Sequence, residues 1–370
     1  MKSSASSEIG SFNARAQAFA RIHSKTSSTA FAANLHTQVE TLTAGEVMFP
    51  VTVNDAQAGN AWVCSPHTTY GDYALEEVIR YAPRWLSPAL NLLGRGSKAW
   101  LRSARIDRAV AINNWLLSTN LYPPLPSVPL TNLLQQALAR WPGHAIWLRS
   151  LNDLEHHDWL TECERLGFAL IPSRQVYLFH DVARLARERH NLKVDLKLAA
   201  KQTGRARNGD IVDADYPRIA ELYERLYMDK YSRCNPHYNA QFMREWHRAG
   251  LLEFDGYRDE AGRLLCIAGQ FRQGHTLTTP IVGYDTALPQ RMGLYRLLTA
   301  CTFEHAIAGG FGINFSAGAA GFKRLRGGVP SIEYSAVYMR HLPPARRRVL
   351  YWLSAVTRRV GVPVMRRFEL

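Results

Sequence analysis

The sequence lacks the patterns that direct a protein into or across a membrane. Its longest apolar stretch near the C-terminus, Val349–Val356, is much too short to cross a bilayer as a helix. The first 37 residues are rich in Ser and Ala and have no apolar core of the kind that a secretory signal needs, although their composition overlaps with that of organellar transit peptides. We predict a cytoplasmic protein that begins with a flexible tail, in which a short helix forms near residues 13–22.

Cysteines are few in this chain. The five of them are scattered and include no Cys-x-x-Cys pair: Cys64, Cys163, Cys234, Cys266 and Cys301. An odd, scattered set argues against a disulfide framework and against a zinc site. We therefore expect buried thiols in a reducing compartment, and no bound metal.

Acidic residues are outnumbered by basic ones. The 370 residues include 45 Lys and Arg against 31 Asp and Glu, which gives a formal net charge of +14. This charge favours polyanionic partners such as RNA, phosphorylated cofactors or an acidic membrane face, and the alternative is a basic protein with no such partner. The length and a hydrophobic fraction of 46% are typical of a globular chain with two domains.

The stretch from Thr276 to Arg340 has the pattern of one α/β unit. Its predicted elements are a strand at Thr276–Tyr284, a helix from Gln290 to the Gly309-Gly310 pair, a strand at Gly312–Ala317, a basic helical turn at Ala319–Gly328 and a strand at Ile332–Arg340. Four residues at helical spacing give the helix one apolar face: Leu294, Leu297, Leu298 and Cys301. This order of elements requires a crossover connection with a parallel pair of strands at its centre.

A similar order of elements occurs earlier in the chain. The predicted elements there are a strand at Ala111–Leu117, a proline-rich loop at 122–129, a helix at Thr131–Trp141, a strand at Ala145–Leu148, a helix at Asp153–Arg165 and a strand that ends at Phe179. Both passages close on a Val-Tyr pair, Val176-Tyr177 and Val337-Tyr338. We interpret them as a degenerate internal duplication, the alternative being a chance similarity of two α/β units. A basic segment, Asn191–Asp210, links the two halves.

The second half resembles the GNAT superfamily of N-acetyltransferases. Two helices, an antiparallel hairpin, a strand, a crossover helix and two more strands follow one another from residue 216 onward. The chain as a whole, over residues 41–342, is similar to the double-domain branch, the Fem-type aminoacyl transferases and related acetyltransferases. The segments that carry this resemblance are Gly312–Gly328 with its Phe322-Lys323 pair, Leu222-Tyr223, and Lys230-Tyr231-Ser232 with Asn235-Pro236.

The resemblance implies an α/β fold with tandem GNAT-like domains and mixed sheets. It divides the chain into a flexible basic tail at 1–40, a degenerate domain at 41–205 that serves as a substrate platform, and a domain at 206–343 that carries the donor site. A basic amphipathic helix at 344–370 follows. The apolar stripe of this last helix, between clusters of arginine, could lie on an anionic membrane, contact RNA phosphates or pack on the domain.

The superfamily binds its donor with an Arg/Gln-x-x-Gly-x-Gly/Ala loop at the start of the crossover helix. The matching residues are Gln290, Arg291, Met292 and Gly293, which we expect to bind the donor through their backbone N–H groups. The donor implied is acyl-CoA or aminoacyl-tRNA, used as a co-substrate rather than held permanently. Tyr295 stands where the family has a small residue, so we expect weak binding of the coenzyme A pyrophosphate.

Acyl transfer from a thioester or ester to an amine needs donors aimed at the developing oxyanion, proximity, and a base for the amine proton. In Fem-type enzymes a lysine in a Phe-Lys context lies by the donor, which implies a catalytic role for Lys323. The alternative is a solvated basic helix face. In either case we expect removal of the lysine hardly to change stability. Tyr284, at the end of its strand, is the candidate acid for the leaving group, or else an aromatic residue at an interface.

Polar residues in both halves are candidates for binding the acceptor. We expect Lys230, Ser232 and Asn235 to line an acceptor pocket, although Asn-Pro after a helix is also an ordinary turn signal. Asn113 and Trp115 stand out because Asn is depleted in strands, and they indicate polar recognition across the domain junction.

These patterns predict an N-acyltransferase. It would move an acetyl, longer acyl or aminoacyl group onto an amine of a small molecule, a peptide or a cell-envelope or polysaccharide precursor. If the donor is an aminoacyl ester, tRNA is a partner. The alternative is a non-catalytic, basic RNA- or membrane-binding module on a GNAT scaffold.

Overall fold

The computed structural model describes residues 2–81 and 87–368 of the chain. In this part of the chain, eleven strands form one mixed sheet. The strands are β1 (Gln38–Ala44), β2 (Val47–Asp55), β3 (Arg108–Ile112), β4 (Ala145–Asn152), β5 (Ala169–Phe179), β6 (Arg205–Ala206), β7 (Glu253–Arg258), β8 (Leu264–Gln273), β9 (Thr276–Tyr284), β10 (Gly312–Asn314) and β11 (Val329–Tyr338).

Helices cover both faces of this sheet. They are α1 (Lys2–His23), α2 (Ala74–Tyr81), α3 (Ser87–Ser103), α4 (Leu130–Arg140), α5 (His157–Leu166), α6 (Val182–Glu188), α7 (His190–Lys201), α8 (Tyr216–Glu224), α9 (Ala240–Arg248), α10 (Leu294–Gly309), α11 (Ala320–Arg324), α12 (Pro344–Val356) and α13 (Val362–Phe368). Successive residues of β8 separate two cores: Ile267 packs with α8 and α9, whereas Cys266 and Ala268 pack with α10.

The sheet consists of two matching halves that exchange their last strands. Its order is β1-β2-β3-β4-β11-β5-β10-β9-β8-β7-β6. Read inward from either side, from β1 or from β7, two antiparallel pairs are followed by one parallel pair, β3 with β4 and β9 with β10. At the centre β11 inserts beside β4, and β5 inserts beside β10. This symmetry supports the internal duplication and confirms the predicted tandem α/β architecture with a mixed sheet.

The exchanged strands make one continuous sheet of the two halves. Because β5 and β11 each pair with both halves, a cut between residues 205 and 206 does not separate two independent sheets. The division into domains at 41–205 and 206–343 therefore stays a proposal about the ancestry of the halves.

The first 40 residues are not the flexible tail that we predicted. Residues 2–23 form the helix α1, which is much longer than the short helix expected. Phe12, Ala16 and Phe19 recur at helical spacing and are fully buried. Phe12 packs edge-on against Phe49 of β2, which places α1 in the core of the first half.

Two other predictions need correction. The strand predicted at 111–117 ends at Ile112, because Asn113 and Leu116 adopt left-handed backbone conformations, with φ of 57° and 60°. The predicted helix start at Gln290 is a single 3₁₀ turn instead. Gly293, with φ of 67°, separates that turn from α10, which begins at Leu294.

The C-terminal helix packs on the protein. Val349, Leu350 and Leu353, the apolar stripe that could have faced a membrane, are buried in a core with Trp147 of β4 and Ile171 of β5. The Arg346 guanidinium donates hydrogen bonds to the backbone carbonyls of Ala104 and Gly143. Within the described residues, no helix has the length and apolarity needed to span a bilayer.

Candidate active site

The parallel strands of the second half separate after three residue pairs. β9 and β10 pair from Thr276 and Gly312 to Thr278 and Asn314. Beyond that point β9 continues along β8 alone, while residues 315–319 turn away. Ser316 and Ala319 both have left-handed conformations, with φ of 57° and 50°, so this departure is built into the backbone.

The space between the separated strands is a cavity of about 160 Å³, here called the fork cavity. Thr279 and Val282 of β9 line one side of it, and residues 315–319 line the other. The first half closes it with Trp62, Tyr73, Glu77, Ser118 and Arg174. The fork cavity therefore lies where the two halves meet, enclosed by residues of both.

Lys323 supports the wall of the fork cavity from inside. Its ammonium donates hydrogen bonds to the carbonyls of Phe315, Ser316 and Ala317, at 2.7, 3.1 and 2.8 Å. The residue is only 4% exposed and also lines the cavity. Burial and then the nearby Arg174 guanidinium lower the pKa of Lys323 well below its usual range, whereas the three carbonyls favour the charged form. The alternative of a solvated helix face was wrong, and the catalytic role stays a prediction.

Glu77 is a candidate that the sequence did not reveal. It lines the fork cavity, and burial raises the pKa of its carboxyl against the opposing effects of Arg174 and Arg80. Arg174 is itself paired with Glu333 at 2.9 Å. A Glu-Glu pair in the first turn of α2 looks like an ordinary helix start, so only the tertiary structure shows that Glu77 is half-buried in the lining of this cavity.

A second cavity of about 370 Å³, here called the donor cavity, lies at the start of α10. Lys230, Tyr284, Gln290 and Gly293 line it, so four predicted site residues come together there. Tyr295 lines both the donor cavity and the fork cavity, and its ring packs against Phe322 at 4.8 Å.

The backbone donors of the donor cavity differ from those predicted. The N–H groups of Met292 and Gly293 donate to the carbonyls of Pro289 and Gln290 within the 3₁₀ turn. Arg291 and Met292 do not contribute to the cavity lining. The N–H groups of the first turn of α10, residues 294–296, have no acceptor within the helix and are available to an anion instead.

Basic side chains surround the donor cavity. Lys230 donates to the Tyr284 hydroxyl at 3.0 Å, and this bond raises the pKa of Lys230. Arg296 and Arg326 share one carboxylate, Asp195, at 2.6 and 2.5 Å, which leaves excess positive charge beside the cavity. The Asp285 carboxylate, also in the lining, is neutralised by Arg218 and Arg225 at 2.6 Å each. These charges suit a phosphate-bearing ligand.

Ser232 and Asn235 tie the two halves together. Asn235 accepts a hydrogen bond from the Trp62 indole at 2.9 Å and lines the fork cavity, whereas the Ser232 hydroxyl donates to Glu76. These contacts keep Asn235 near the predicted acceptor site, and they give Ser232 a structural partner from the first half.

Asn113 and Trp115 do not belong to the site. Both are fully buried, and the Trp115 indole donates to the Asn113 side chain at 2.8 Å. The Trp115 ring packs against Phe12, Phe19 and Phe271 in the core. Because their polar atoms are satisfied internally, the predicted role in recognition across the junction was wrong.

Comparison with known proteins agrees with this geometry over the second half. Residues 186–324 match the family described as Acetyltransferase (GNAT) domain. No curated protein matches the chain. The match covers α7 to α11 and so includes the residues of α10, β9 and β10 that form the donor and fork cavities.

Several solved structures are similar at low identity. A C-terminal domain from Agrobacterium fabrum, described as a lysylphosphatidylglycerol synthetase, is 12% identical over 68% of this chain and 82% of that chain, with a TM-score of 0.46. FemX is 11% identical over 56% and 76%, with a TM-score of 0.43. A tandem GNAT protein from the clavulanic acid pathway is 10% identical over 62% and 75%, with a TM-score of 0.38. Similarities at this level carry no information about substrate.

Proposed function

We propose, from the premise that residues 186–324 are a GNAT acetyltransferase domain, that the protein transfers an acyl group from a phosphate-bearing thioester or ester to an amine. One observation carries this proposal. A cavity with excess positive charge at the start of α10 adjoins a smaller cavity between separated parallel strands, with Tyr295 shared between their linings.

The donor would lie with its phosphates in the donor cavity. The free N–H groups at residues 294–296, the positive end of the helix dipole and Lys230 all favour an anion there. The acyl group would extend past Tyr295 into the fork cavity. There the edge of β9 beyond Thr278, which β10 has left, can donate a backbone N–H to the carbonyl oxygen as negative charge develops.

The acceptor amine would enter the fork cavity between the two halves. Its nitrogen forms the new bond to the acyl carbon, and the bond from that carbon to sulfur or oxygen breaks. Glu77 accepts the proton that the amine loses, and its raised pKa suits it to this task near neutral pH. The departing thiolate or alkoxide takes a proton from solvent. Tyr284 lines only the donor cavity, which favours a role in donor binding over proton transfer to the leaving group.

A ligand panel tests the donor and the function together. Coenzyme A, acetyl-CoA and charged tRNA would each be added to the full chain, because a ligand that binds only the folded state raises its melting temperature. We expect stabilisation by an acyl-CoA, followed by transfer of the acyl group to a primary amine. Stabilisation by charged tRNA alone would identify an aminoacyl transferase instead. No stabilisation by any donor, with binding that collapses in salt, would favour the non-catalytic RNA- or membrane-binding alternative.

An exposed aromatic surface favours an additional partner. Trp100 of α3 and Trp352 of α12 meet edge-to-face at 4.3 Å and are each 38% exposed, with Tyr351 alongside at 47%. Basic side chains flank them on both helices. We propose peripheral contact with an anionic membrane through these rings rather than through the buried stripe of α12. Flotation with vesicles that contain phosphatidylglycerol should recover the protein, Trp352→Ser should weaken recovery, and equal recovery with neutral vesicles would contradict the proposal.

A further inference from the structure

We propose that the first half carries a second ligand site, at the position that corresponds to the donor cavity, and that it binds an organic cation with a primary ammonium group. A cavity of about 520 Å³ lies between the loop 121–125, which precedes α4, and the turn 273–276 between β8 and β9. Residues that follow β4, from Glu155 to Trp159, complete it. Its volume is within the usual range for small-molecule sites.

The duplication explains where this cavity lies. The loop 121–125 precedes α4 as residues 285–290 precede α10, and residues 155–159 follow β4 as residues 315–319 follow β10. Both halves therefore have a cavity at a loop-to-helix connection next to the ends of their parallel strands. We call the cavity of the first half the acidic cavity.

The charge of the acidic cavity is opposite to that of the donor cavity. Four carboxylates line it, and within the described residues its lining includes no Lys or Arg: Glu8, Glu155, Asp158 and Asp181. Asp181 is paired with Arg184 at 3.4 Å, but the other three form no ion pair in the described part of the chain. Because like charges gathered in one cavity repel each other, a bound cation would be favoured.

A buried acceptor lies in the wall of the same cavity. The Gln273 side chain lines the acidic cavity, is only 4% exposed, and leaves its Oε1 without a hydrogen-bond partner among the described residues. An unsatisfied buried acceptor costs about 1–3 kcal/mol, which a ligand N–H would offset. The neighbouring His156 accepts from the Asn152 N–H through Nδ1, and burial lowers the pKa of His156 to about 4, so it adds no positive charge.

Glu8 reaches this cavity only because residue 274 is glycine. Gly274 has a left-handed conformation with φ of 54°, and a Cβ on it would lie 2.4 Å from a carboxylate oxygen of Glu8. The helix α1 and the β8–β9 turn are thus fitted to each other at a charged side chain. Across the described residues, no three His, Cys, Asp or Glu side chains come together in a way that could hold a metal ion, so an organic cation suits the site better.

Titration calorimetry with 1,4-diaminobutane, at constant ionic strength and without any acyl donor, tests the proposal on the full chain. 1,4-Butanediol and succinate are the neutral and anionic probes of similar length. We expect the diamine alone to bind, and Gln273→Leu, Glu155→Gln and Gly274→Ala each to weaken it at least tenfold. Glu260→Gln, which removes a charge from an exposed turn, should leave binding unchanged. Hydrogen exchange should slow at residues 121–125 and 273–276 when the diamine is bound.

Several results would overturn this proposal. They are equal binding of the diol, binding of the diamine that none of the three variants weakens, or no binding at concentrations up to about 10 mM. Competition between the diamine and coenzyme A would place the diamine in the donor cavity instead. Because binding is measured without a donor, failure of the proposed acyl transfer would leave this result interpretable. If Gln273→Leu does not fold, Glu155→Gln on the cavity rim carries the same test.

Discussion

The two halves of this protein have matching strands, but among the described residues only the second has an open cavity between the diverging ends of its parallel pair. In the first half β3 pairs with β4 as far as Ile112 and Leu148, and in the second β9 pairs with β10 as far as Thr278 and Asn314. Two residues beyond the last pair, Ser150 and Ser316 have left-handed conformations, with φ of 69° and 57°. A left-handed residue beyond the parallel pair is thus retained in both halves, although β4 continues to Asn152 whereas β10 ends at Asn314.

The path of the chain beyond the paired residues differs between the halves. In the first half β3 ends and residues 113–120 fold back between its neighbours. The Asn114 side chain donates to Thr52 of β2, and the backbone N–H of Asn120 donates to Ser150 of β4. In the second half β9 runs on to Tyr284, and the space beside it stays open as the fork cavity. In the first half, residues 113–120 thus fill the space that corresponds to the fork cavity of the second half, so that this half supports the fold there instead of binding a ligand.

The largest predicted effect is at Trp115, which belongs to residues 113–120, the segment that folds back beyond β3 in the first half. Trp115→Ala should lower the free energy of unfolding by about 3–5 kcal/mol, because it leaves a cavity among Phe12, Phe19 and Phe271. Donor affinity of the molecules that remain folded should not change. Denaturant melts and donor titrations measure the two quantities. Trp352→Ala, on the surface, should lower the free energy of unfolding far less. Equal losses in the two variants would contradict the view that residues 113–120 form part of the core.

Lys323 holds residues 315–317 in the wall of the fork cavity, so its removal should affect both activity and stability. Lys323→Ala should lower kcat/KM by roughly 100- to 1000-fold, the scale of losing one charged stabiliser in a preorganised site. It should also lower stability by about 1–3 kcal/mol, because three carbonyls lose their donor. Single-turnover acyl transfer and denaturant melts of the same samples separate the effects. Lys201→Ala, at the exposed end of α7, is the matched control, and normal rates in Lys323→Ala would remove this lysine from the mechanism.

Glu77 comes from the first half but would act in the fork of the second. As a base it works only when ionised, so the rate should fall as pH decreases through its raised pKa. Glu77→Gln should lower kcat roughly 100-fold and should abolish this dependence of the rate on pH. The free energy of unfolding of Glu77→Gln should change in the opposite direction to its activity. A carboxyl whose folded pKa is raised stabilises the fold only while it is protonated, so at neutral pH the glutamine variant should be slightly more stable.

The pH–rate profile and a pH series of thermal melts check the two effects of Glu77. Glu260→Gln, in the exposed turn between β7 and β8, should retain the wild-type pH dependence. A wild-type rate that shows no fall as pH decreases through the range above the usual glutamate pKa, or the same pH dependence in Glu77→Gln, would argue against Glu77 as the base.

Tyr295 lies between the two cavities and should produce the smallest effect. Tyr295→Ala should strengthen coenzyme A binding by about tenfold, because the side chain in the lining of both cavities becomes small, as the donor loop of the superfamily has it. Tyr295→Phe should leave the affinity unchanged. Calorimetric titration of the three proteins decides this. Tight binding by the wild type that the alanine variant does not improve would show that the loop accommodates tyrosine.

Much of the second half could be predicted from the sequence, because its signals are local. The strand at Thr276–Tyr284 has the predicted bounds, since it is rich in β-branched residues and is followed by the turn residues Asp285 and Pro289. The buried face of α10 follows from the spacing of Leu294, Leu297 and Leu298. The donor loop was proposed from its residue types and stays a prediction, and the N–H groups of Met292 and Gly293 are used within the 3₁₀ turn.

Errors arose where the path of a loop decides which groups a side chain meets. Asn113 looked like a polar recognition residue, but its partners Trp115 and Leu121 come from a loop whose path a sequence pattern does not reveal. For Lys323 the alternative to a catalytic role was a solvated basic turn, and the expectation that its removal would hardly change stability rested on exposure. The turn instead folds back so that its ammonium meets three carbonyls six to eight residues earlier. In both cases a polar side chain satisfies backbone groups inside the protein.

The sequence by itself determined the repeated order of strands and helices and the apolar faces that make each half an α/β unit, because periodicity and turn chemistry act over a few residues. Only the tertiary structure decided that β5 and β11 change places, that residues 113–120 close one fork, and that the other stays open. These outcomes depend on pairing and packing between segments more than 60 residues apart, such as Asn114 with Thr52 and Glu333 with Arg174. Long-range contacts of this kind leave no regular pattern in the sequence, so the chemistry of each half emerges only in the folded protein.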